Sequence, residues 1–216
     1  ELRNITMKVG VLKNANGSAY ITWGKNKILA GVYGPTEVIP KHEADFTKSI
    51  LKCEYNMEAF SVEERKKPGP DRRSIEISKV TTEALSSVVL LENFPNTMIN
   101  VYIEVLQADA GTRCAGITAA SLALADAGIP MKDLVSACAV GKVDGRIVLD
   151  LCKEEDNIGQ CDLPIAITPR NKNISLLQMD GELTREEFDM ALNLAIEGAM
   201  KVYEMQKKAL KERYKI

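Results

Sequence analysis

Three groups of residues have types and spacing suited to chemistry on phosphate, and the sharpest is Gly111-Thr112-Arg113. These residues stand between an apolar run that predicts a strand and a run of small residues that predicts a helix. A helix start attracts anions because its first backbone N–H groups are unpaired and carry a partial positive charge. Gly111 lets a ligand approach the backbone, Thr112 adds a hydroxyl, and Arg113 adds a charged fork suited to phosphate oxygens. The alternative is a plain glycine turn, with Thr112 as the N-cap and Arg113 in solvent.

The second group is a pair of aspartates, Asp156 and Asp162, six residues apart and flanked by Glu154 and Glu155. The spacing predicts a short acidic loop that ends where Asp162 opens a strand. Near a phosphodiester, one carboxyl with a raised pKa can donate a proton, and one or both can hold a hard divalent cation such as Mg²⁺. An acidic loop without chemistry is the alternative.

The third group is a basic loop stiffened by two prolines and a glycine. It places five basic side chains within nine residues: Arg65, Lys66, Lys67, Arg72 and Arg73. Such a cluster can follow a nucleic-acid backbone. Arg72 and Arg73 lie near a second predicted helix start, which Asp71 can cap, so they could also help to hold an anion. A solvated surface run is the alternative interpretation.

The hydrophobic pattern predicts the elements that position these groups. In the first half, strands over 5–12 and 18–24 are joined by a type I′ turn at Asn16-Gly17, and a strand over 98–107 leads into a helix over 115–127. In the second half, a hairpin turns at Asp144-Gly145, further strands cover 162–168 and 174–180, and a capping box at Thr184 opens the last helix.

Each half therefore predicts strands followed by a helix that returns to cover a sheet. We expect an α+β fold with mixed sheets covered by helices and an internal duplication. No linker divides the chain, so the prediction is a single domain over residues 1–216 with two similar halves, roughly 1–130 and 131–216.

Composition limits the class of protein. The 216 residues carry a net charge of −2, with 45% hydrophobic and 27% charged residues, which is typical of a globular protein. This charge argues against coating nucleic acid by bulk electrostatics but allows a local basic site. No apolar run approaches the roughly 18 residues that span a bilayer, and no secretion leader is visible, so a cytoplasmic protein is expected. The start at Glu1 in place of Met indicates trimming.

The cysteines and the single histidine exclude two further kinds of site. An odd number of cysteines without a C-x-x-C pair, together with only His42, argues against a zinc site and against a Ser- or Cys-based triad. The cysteines are expected to be small buried hydrophobes with free thiols in a reducing compartment. They are Cys53, Cys114, Cys138, Cys152 and Cys161.

The three groups together closely resemble the ribonuclease PH family. The segments that carry the resemblance are residues 72–79, residues 105–113 with their continuation 117–125, and the Asp156/Asp162 pair at its six-residue spacing. It extends over essentially the whole chain. Residues 55–57, 60–65 and 127–131 are most similar to the catalytic ribonuclease PH-type subunits of archaeal exosomes.

The resemblance implies a ribosomal protein S5 domain 2-like fold and degradation of RNA from its 3′ end by phosphorolysis, which releases nucleoside diphosphates. Inorganic phosphate is then a co-substrate, and excess nucleoside diphosphate would drive 3′ tailing in reverse. It also implies a related inactive partner subunit, three of each closing a six-membered ring around an RNA channel, with RNA-binding cap proteins on one face.

The resemblance also implies a role for each matching residue. Phosphate binding would fall to Gly111, Thr112 and Arg113 with Arg72 and Arg73, catalysis and possible Mg²⁺ binding to Asp156 and Asp162, and RNA binding to Arg65, Arg72 and Arg73. Family chains usually carry an Asp-Gly-Arg-containing segment ahead of the position of Glu1, so N-terminal contacts are left open.

Three other functions are weighed. A non-catalytic ring subunit would be expected to lack the phosphate arginine or the carboxylate pair, and this chain keeps both. A stand-alone ribonuclease PH that trims tRNA 3′ ends would form a homohexamer without a partner. A small-molecule kinase of the same superfold is disfavoured because the chain has no convincing nucleotide-phosphate loop.

Overall fold

The computed structural model describes residues 1–215 as two β-sheets and four α-helices. The first sheet has the strand order β1-β2-β3-β5-β4, in which β4 and β5 are parallel and the other neighbours are antiparallel. Its strands are β1 (Ile5–Val9), β2 (Gly17–Trp23), β3 (Asn26–Glu37), β4 (Ile50–Met57) and β5 (Thr97–Gln107).

The second sheet is antiparallel and is built around β8. One side of β8 pairs with β6, which pairs in turn with β7, and β9 and β10 share the other side. The strands are β6 (Ser136–Val143), β7 (Arg146–Leu149), β8 (Cys161–Thr168), β9 (Asn173–Leu177) and β10 (Asp180–Gly181).

Four α-helices cover the sheets: α1 (Arg72–Ser86), α2 (Thr112–Asp126), α3 (Lys153–Ile158) and α4 (Arg185–Tyr214), with 3₁₀ turns at Lys41–Glu43 and Leu91–Asn93. Helix α1 packs on β4, and α4 packs on the second sheet and reaches β1. Helix α2 contacts both sheets. No helix within residues 1–215 is long and apolar enough to cross a membrane.

Burial of α2 explains its composition. The run from Cys114 to Leu124 is buried without interruption, which is the pattern of a helix enclosed on all sides. Its small residues allow neighbouring backbones to come close. A Cβ placed on Gly17 of β2 would overlap the backbone of Ala123 and Ala127 at the end of α2. Glycine is therefore needed at position 17 for close packing.

The two predicted turns have different outcomes. The turn at Asp144-Gly145 is confirmed, because both residues have positive φ (48° and 72°) and Val143 pairs with Arg146. The turn at Asn16-Gly17 is wrong. Strand β1 ends at Val9, three residues before the predicted end, and Gly17 already belongs to β2. Gly17, which the sequence predicted to be a turn residue, instead allows β2 to pack closely against α2.

The predicted strand over 174–180 is wrong, because β9 ends at Leu177 and Asp180 belongs to a separate strand, β10, that pairs with the start of β8. Other fold expectations agree with the structure. The capping boxes at Asp71 and Thr184 are present, and mixed sheets covered by helices confirm the α+β class. One apolar core joins the first sheet to α1 and α2, and a second lies between α4 and the second sheet. All five cysteines are free, and Cys152 is the one that is only partly buried. The extent of the domain and its halves stays a prediction.

Replacing Gly17 by alanine tests the close approach of β2 and α2. Gly17→Ala should lower the free energy of unfolding by about 1–3 kcal/mol, because the new methyl meets backbone that cannot rotate away. Urea denaturation measures the change. Gly31→Ala is the matched control on β3, where the Cβ would lie 3.2 Å from the flexible Leu12 side chain. Equal losses in both variants would rule out the α2 contact as the cause.

Candidate active site

The N-terminus of α2 has no side-chain cap. After β5 the chain enters the left-handed region at Ala110 (φ 53°) and Gly111 (φ 66°), and Gly111 is the N-cap with Thr112 as the first helical residue. Within residues 1–215, each of the other three α-helices begins with a capping box. The first N–H groups of α2 are therefore left for water or an anion.

Thr112 is held from behind by a tyrosine. Its side chain is buried, and the Tyr55 hydroxyl donates a hydrogen bond of 2.8 Å to Thr112 Oγ1. Burial raises the pKa of Tyr55, so the phenol stays protonated as a donor. Because Thr112 Oγ1 accepts from Tyr55, its own proton is available for another acceptor. The alternative in which Thr112 acts as the N-cap is wrong.

Arg113 is held in place by α1. Its Nη2 lies 3.1 Å from Glu76 Oε2, and Glu76 Oε1 accepts a hydrogen bond of 2.7 Å from Gln178 Nε2. The Arg113 side chain is 20% exposed, so the alternative of an arginine in solvent is wrong. Arg113 Nε is buried and has no hydrogen-bond partner, which leaves a charged donor for a ligand.

Arg113 lines a cleft of about 530 Å³ where the two halves of the chain meet. Helices α1, α2 and α3 contribute to the cleft, as do β8 and the β9–β10 connection. The lining residues are Arg73, Glu76, Arg113, Asp156, Asp162, Pro164, Gln178, Met179 and Asp180. Two arginines and the aspartate pair, all proposed from sequence, therefore meet in one cavity.

Other predicted site residues lie outside this lining. Gly111 and Thr112 stand directly before Arg113, at the start of α2. Arg72 is exposed on the first turn of α1, next to Arg73, and Arg65 is exposed in the loop that leads to α1. Of the five basic residues, Arg73 is exposed but lines the cleft, and Lys66 is half-buried with its Nζ 2.9 Å from Asp71 Oδ2.

The aspartate pair is presented by a helix and a strand. The predicted acidic loop is wrong at this point, because Asp156 lies on α3, whose start is closed by a capping box between Cys152 and Glu155. Acidic residues in the first turn favour a helix through its dipole, so the charge run that resembled a loop stabilises α3. Asp162 is the second residue of β8, as expected of a strand start.

Asp162 holds its proton more tightly than an ordinary aspartate. Its partial burial and the nearby charge of Asp156 raise its pKa to about 6, although Arg113 and Arg73 oppose the shift. Asp180 also raises it, because β10 pairs with β8 so that Asp180 lies directly opposite Asp162. The cleft thus combines cationic groups with a carboxyl whose pKa is raised to about 6.

Three polar cleft residues were not proposed from sequence: Glu76, Gln178 and Asp180. Glu76 follows Arg73 by three residues, so helical spacing places it on the same face of α1, and that signal could have identified it. Gln178 and Asp180 belong to a short connection whose position depends on pairing with β8, and no local pattern marks them. As for a metal, no group of three or more His, Cys, Asp or Glu ligands occurs among residues 1–215.

The raised pKa of Asp162 predicts a pH-dependent stability change. The unfolded chain releases this proton near the ordinary value of 3.8 and the folded chain near 6. The folded state therefore loses stability as pH rises from about 4 to about 6, by roughly 2 kcal/mol. In Asp162→Asn this loss should be absent, so the variant should be the more stable protein at pH 7.5 but not at pH 4.

Urea denaturation at the two pH values measures this effect. Glu197→Gln, which removes an exposed carboxylate on α4, is the control and should change stability little at either pH. A stability gain from Asp162→Asn that is the same at both pH values would contradict a raised pKa.

The chain is similar along most of its length to proteins that act on RNA ends. Residues 1–130 match the 3′ exoribonuclease family, domain 1, and residues 133–198 match domain 2. Exosome complex component Rrp41 of Pyrococcus furiosus is 69% identical over 214 residues, 99% of this chain and 86% of that protein. Rrp41 of Thermoplasma volcanium is 60% identical over 216 residues, 100% of this chain and 87% of that protein.

A solved structure shows the same architecture. The crystal structure of rice (Oryza sativa) Rrp46 has a TM-score of 0.87 to this chain and covers 98% of it and 96% of the rice chain, at 23% identity. That likeness confirms the expected fold, and the two family domains and the archaeal relatives give the family. The chain belongs to the 3′ exoribonuclease family, which is the ribonuclease PH family that its sequence resembles.

Proposed function

We propose that this chain is the phosphate-dependent 3′→5′ exoribonuclease subunit of an archaeal exosome. The observation that carries the proposal is the single cleft in which Arg73 and Arg113 face Asp156 and Asp162. Anion-binding groups then lie beside a carboxyl whose pKa, raised to about 6, suits it to donate a proton. Relatives named as exosome complex components, at 60% to 69% identity, support the assignment to that assembly.

Neutralisation of charge is the first requirement of the reaction, because the attacking phosphate and the scissile phosphodiester are both anionic. The N–H groups at the start of α2, the Thr112 hydroxyl and Arg113 Nε are donors without a partner in the ligand-free protein. Arg73 adds a second guanidinium from α1. These groups would hold inorganic phosphate in line with the last internucleotide bond.

The bond changes follow from that placement. A phosphate oxygen attacks the phosphorus of the last phosphodiester, the bond from phosphorus to the 3′ oxygen breaks, and the last residue leaves as a nucleoside 5′-diphosphate. The departing 3′ oxygen needs a proton. Asp162 is the group placed to supply it, since its burial and the charge of Asp156 raise its pKa to about 6. Asp156 therefore acts partly through its effect on Asp162.

A Mg²⁺ ion fits one part of this arrangement. Mg²⁺ is commonly held by one or two carboxylates and keeps several waters, so Asp156 would suffice as its protein ligand while Asp162 keeps its proton. When bound, the ion would add positive charge beside the phosphates. Arg73 and Arg113 have the same function without it.

The exposed arginines suit contact with RNA upstream of its 3′ end. Arg65 and Arg72 lie on the surface of the loop and helix that lead to Arg73, so a strand entering the cleft would pass them. The proposal includes the ring of three such subunits and three related inactive ones, with RNA-binding cap proteins, in the cytoplasm. An acidic subunit with a local basic entrance suits a channel where one surface meets RNA.

The central test is the phosphate requirement of the assembled complex. End-labelled RNA should be shortened from its 3′ end only when inorganic phosphate is present, and the products should be nucleoside diphosphates. Asp156→Ala should lower the rate by on the order of 10²–10³ while RNA still binds, because it removes a carboxylate and with it part of the cause of the raised Asp162 pKa.

Glu154→Ala is the matched control, since it removes an exposed carboxylate from the same helix outside the cleft and should leave the rate unchanged. Release of nucleoside monophosphates without added phosphate would overturn the mechanism. Full turnover by Asp156→Ala would overturn the assignment of the carboxylates.

A second test concerns Arg65. Arg65→Gln should weaken RNA binding and lower the slope of log K against log salt by about 0.7, the value for one contact to a single-stranded phosphate. Fluorescence anisotropy between 50 and 200 mM salt, roughly the range in which such slopes are measured, gives both quantities. Lys208→Gln, an exposed charge on α4, is the control. An unchanged slope for Arg65→Gln would contradict a contact between Arg65 and RNA.

A further inference from the structure

The turn that precedes α2 is held by a buried asparagine that the reaction itself does not use. Asn26, at the start of β3, is fully buried. Its Oδ1 accepts a hydrogen bond of 2.6 Å from Asp109 N, and its Nδ2 donates one of 2.6 Å to Ala110 O. One amide side chain therefore satisfies a donor and an acceptor of the two residues that precede Gly111.

Arg3 holds the same turn from the N-terminal segment. Its Nη1 donates to Asp109 O, and its Nη2 lies 2.7 Å from Asp150 Oδ1. Asp150 is fixed in turn by Trp23, whose Nε1 donates a hydrogen bond of 2.8 Å to Oδ2. The Arg3 guanidinium also lies against Gly111, since a Cβ there would be 3.1 Å from Nη2.

These contacts are needed because the turn is unfavourable without them. Ala110 is not a glycine, yet it has a φ of 53°, in the left-handed region that side chains disfavour. Such a conformation persists where surrounding contacts over-determine it. Here it sets the direction of the first N–H groups of α2 and places Thr112 and Arg113 where the anion is proposed to bind.

We infer that Asn26, backed by Arg3, is a positioning residue for phosphate. It touches neither phosphate nor RNA and acts through the Asp109–Gly111 backbone, which it keeps in the conformation that presents the α2 N-terminus. The inference rests on the proposed phosphorolytic function and deepens it. It makes the affinity for phosphate depend on a side chain of β3 that holds the turn before α2.

The test separates phosphate affinity from general stability. In the assembled complex, Asn26→Ala should raise KM for inorganic phosphate roughly tenfold, whereas kcat changes less and the Kd for RNA measured without phosphate stays the same. The matched control is Gln206→Ala. Gln206 is another fully buried amide, and it bonds to Thr118 O and Val135 O near the middle of α2.

Both variants should lower the melting temperature, because each leaves buried backbone groups without a partner. A merely structural role for Asn26 would reduce the active fraction, and therefore kcat, in both variants alike with KM for phosphate unchanged. That result would overturn the inference. If Asn26→Ala does not fold, Arg3→Lys takes its place. It keeps a charge for Asp150 but loses the fork, and should also raise KM for phosphate.

The phosphate dependence of the wild-type complex shows whether a negative result contradicts the proposed function or only the positioning role of Asn26. A wild-type complex that degrades RNA without phosphate contradicts the proposed function, and the positioning role with it. A wild-type complex that requires phosphate, combined with an unchanged KM in Asn26→Ala or its substitute, contradicts the positioning role alone.

Discussion

The packing of α2 between two sheets is the constraint on which the rest of the structure depends. Because the sides of this helix are covered by β2, β3, β5 and β6, only its two ends reach the surface, and at the polar N-terminal end Arg113 is partly exposed. The same packing fixes what can surround that end. Helix α1 lies beside it, β8 passes it, and the strained turn at Ala110 directs it. The proposed anion site thus follows from how the core is closed.

The site is also divided between the two halves of the chain. Arg73 and Arg113 come from the helices of the first half, whereas Asp156 and Asp162 come from α3 and β8 of the second. Neither half contains both the groups that attract an anion and the group that holds a proton. Contacts that fix one half on the other, such as the Arg3–Asp150 ion pair, therefore bear on the chemistry as well as on stability.

Sequence reasoning succeeded where a residue's local neighbours determine its structure. Asp144-Gly145 makes a hairpin turn because both residues accept positive φ, and Gly111-Thr112-Arg113 opens a helix because a strand ends just before it. Sequence reasoning failed where the structure of a residue depends on a partner far away in the sequence. Gly17 resembled a turn residue, yet the backbone of α2, more than a hundred residues away, is the reason for the glycine. The strand partner of Asp180 could not be predicted for the same reason.

The acidic run before Asp162 failed for a different reason, since charge at a helix start and charge in a loop have the same composition and differ only in what caps them. Asn26 shows a further limit. Nothing in its neighbourhood marks it as more than a polar residue after a turn, and its significance depends on a hydrogen-bonded turn more than eighty residues further along the chain.

The contact between Glu76 and Arg113 affects how an anion would bind to the cleft and leave it. Glu76 already supplies a negative partner for the guanidinium, so Arg113 is oriented before any substrate arrives and loses little conformational freedom when one does. The Glu76 carboxylate also competes with the incoming anion for the Arg113 guanidinium, and the ion pair forms again when the anion leaves. A site of this kind would bind its anion moderately and exchange it readily, which suits the proposed role of phosphate as a reactant that is consumed with every nucleotide removed.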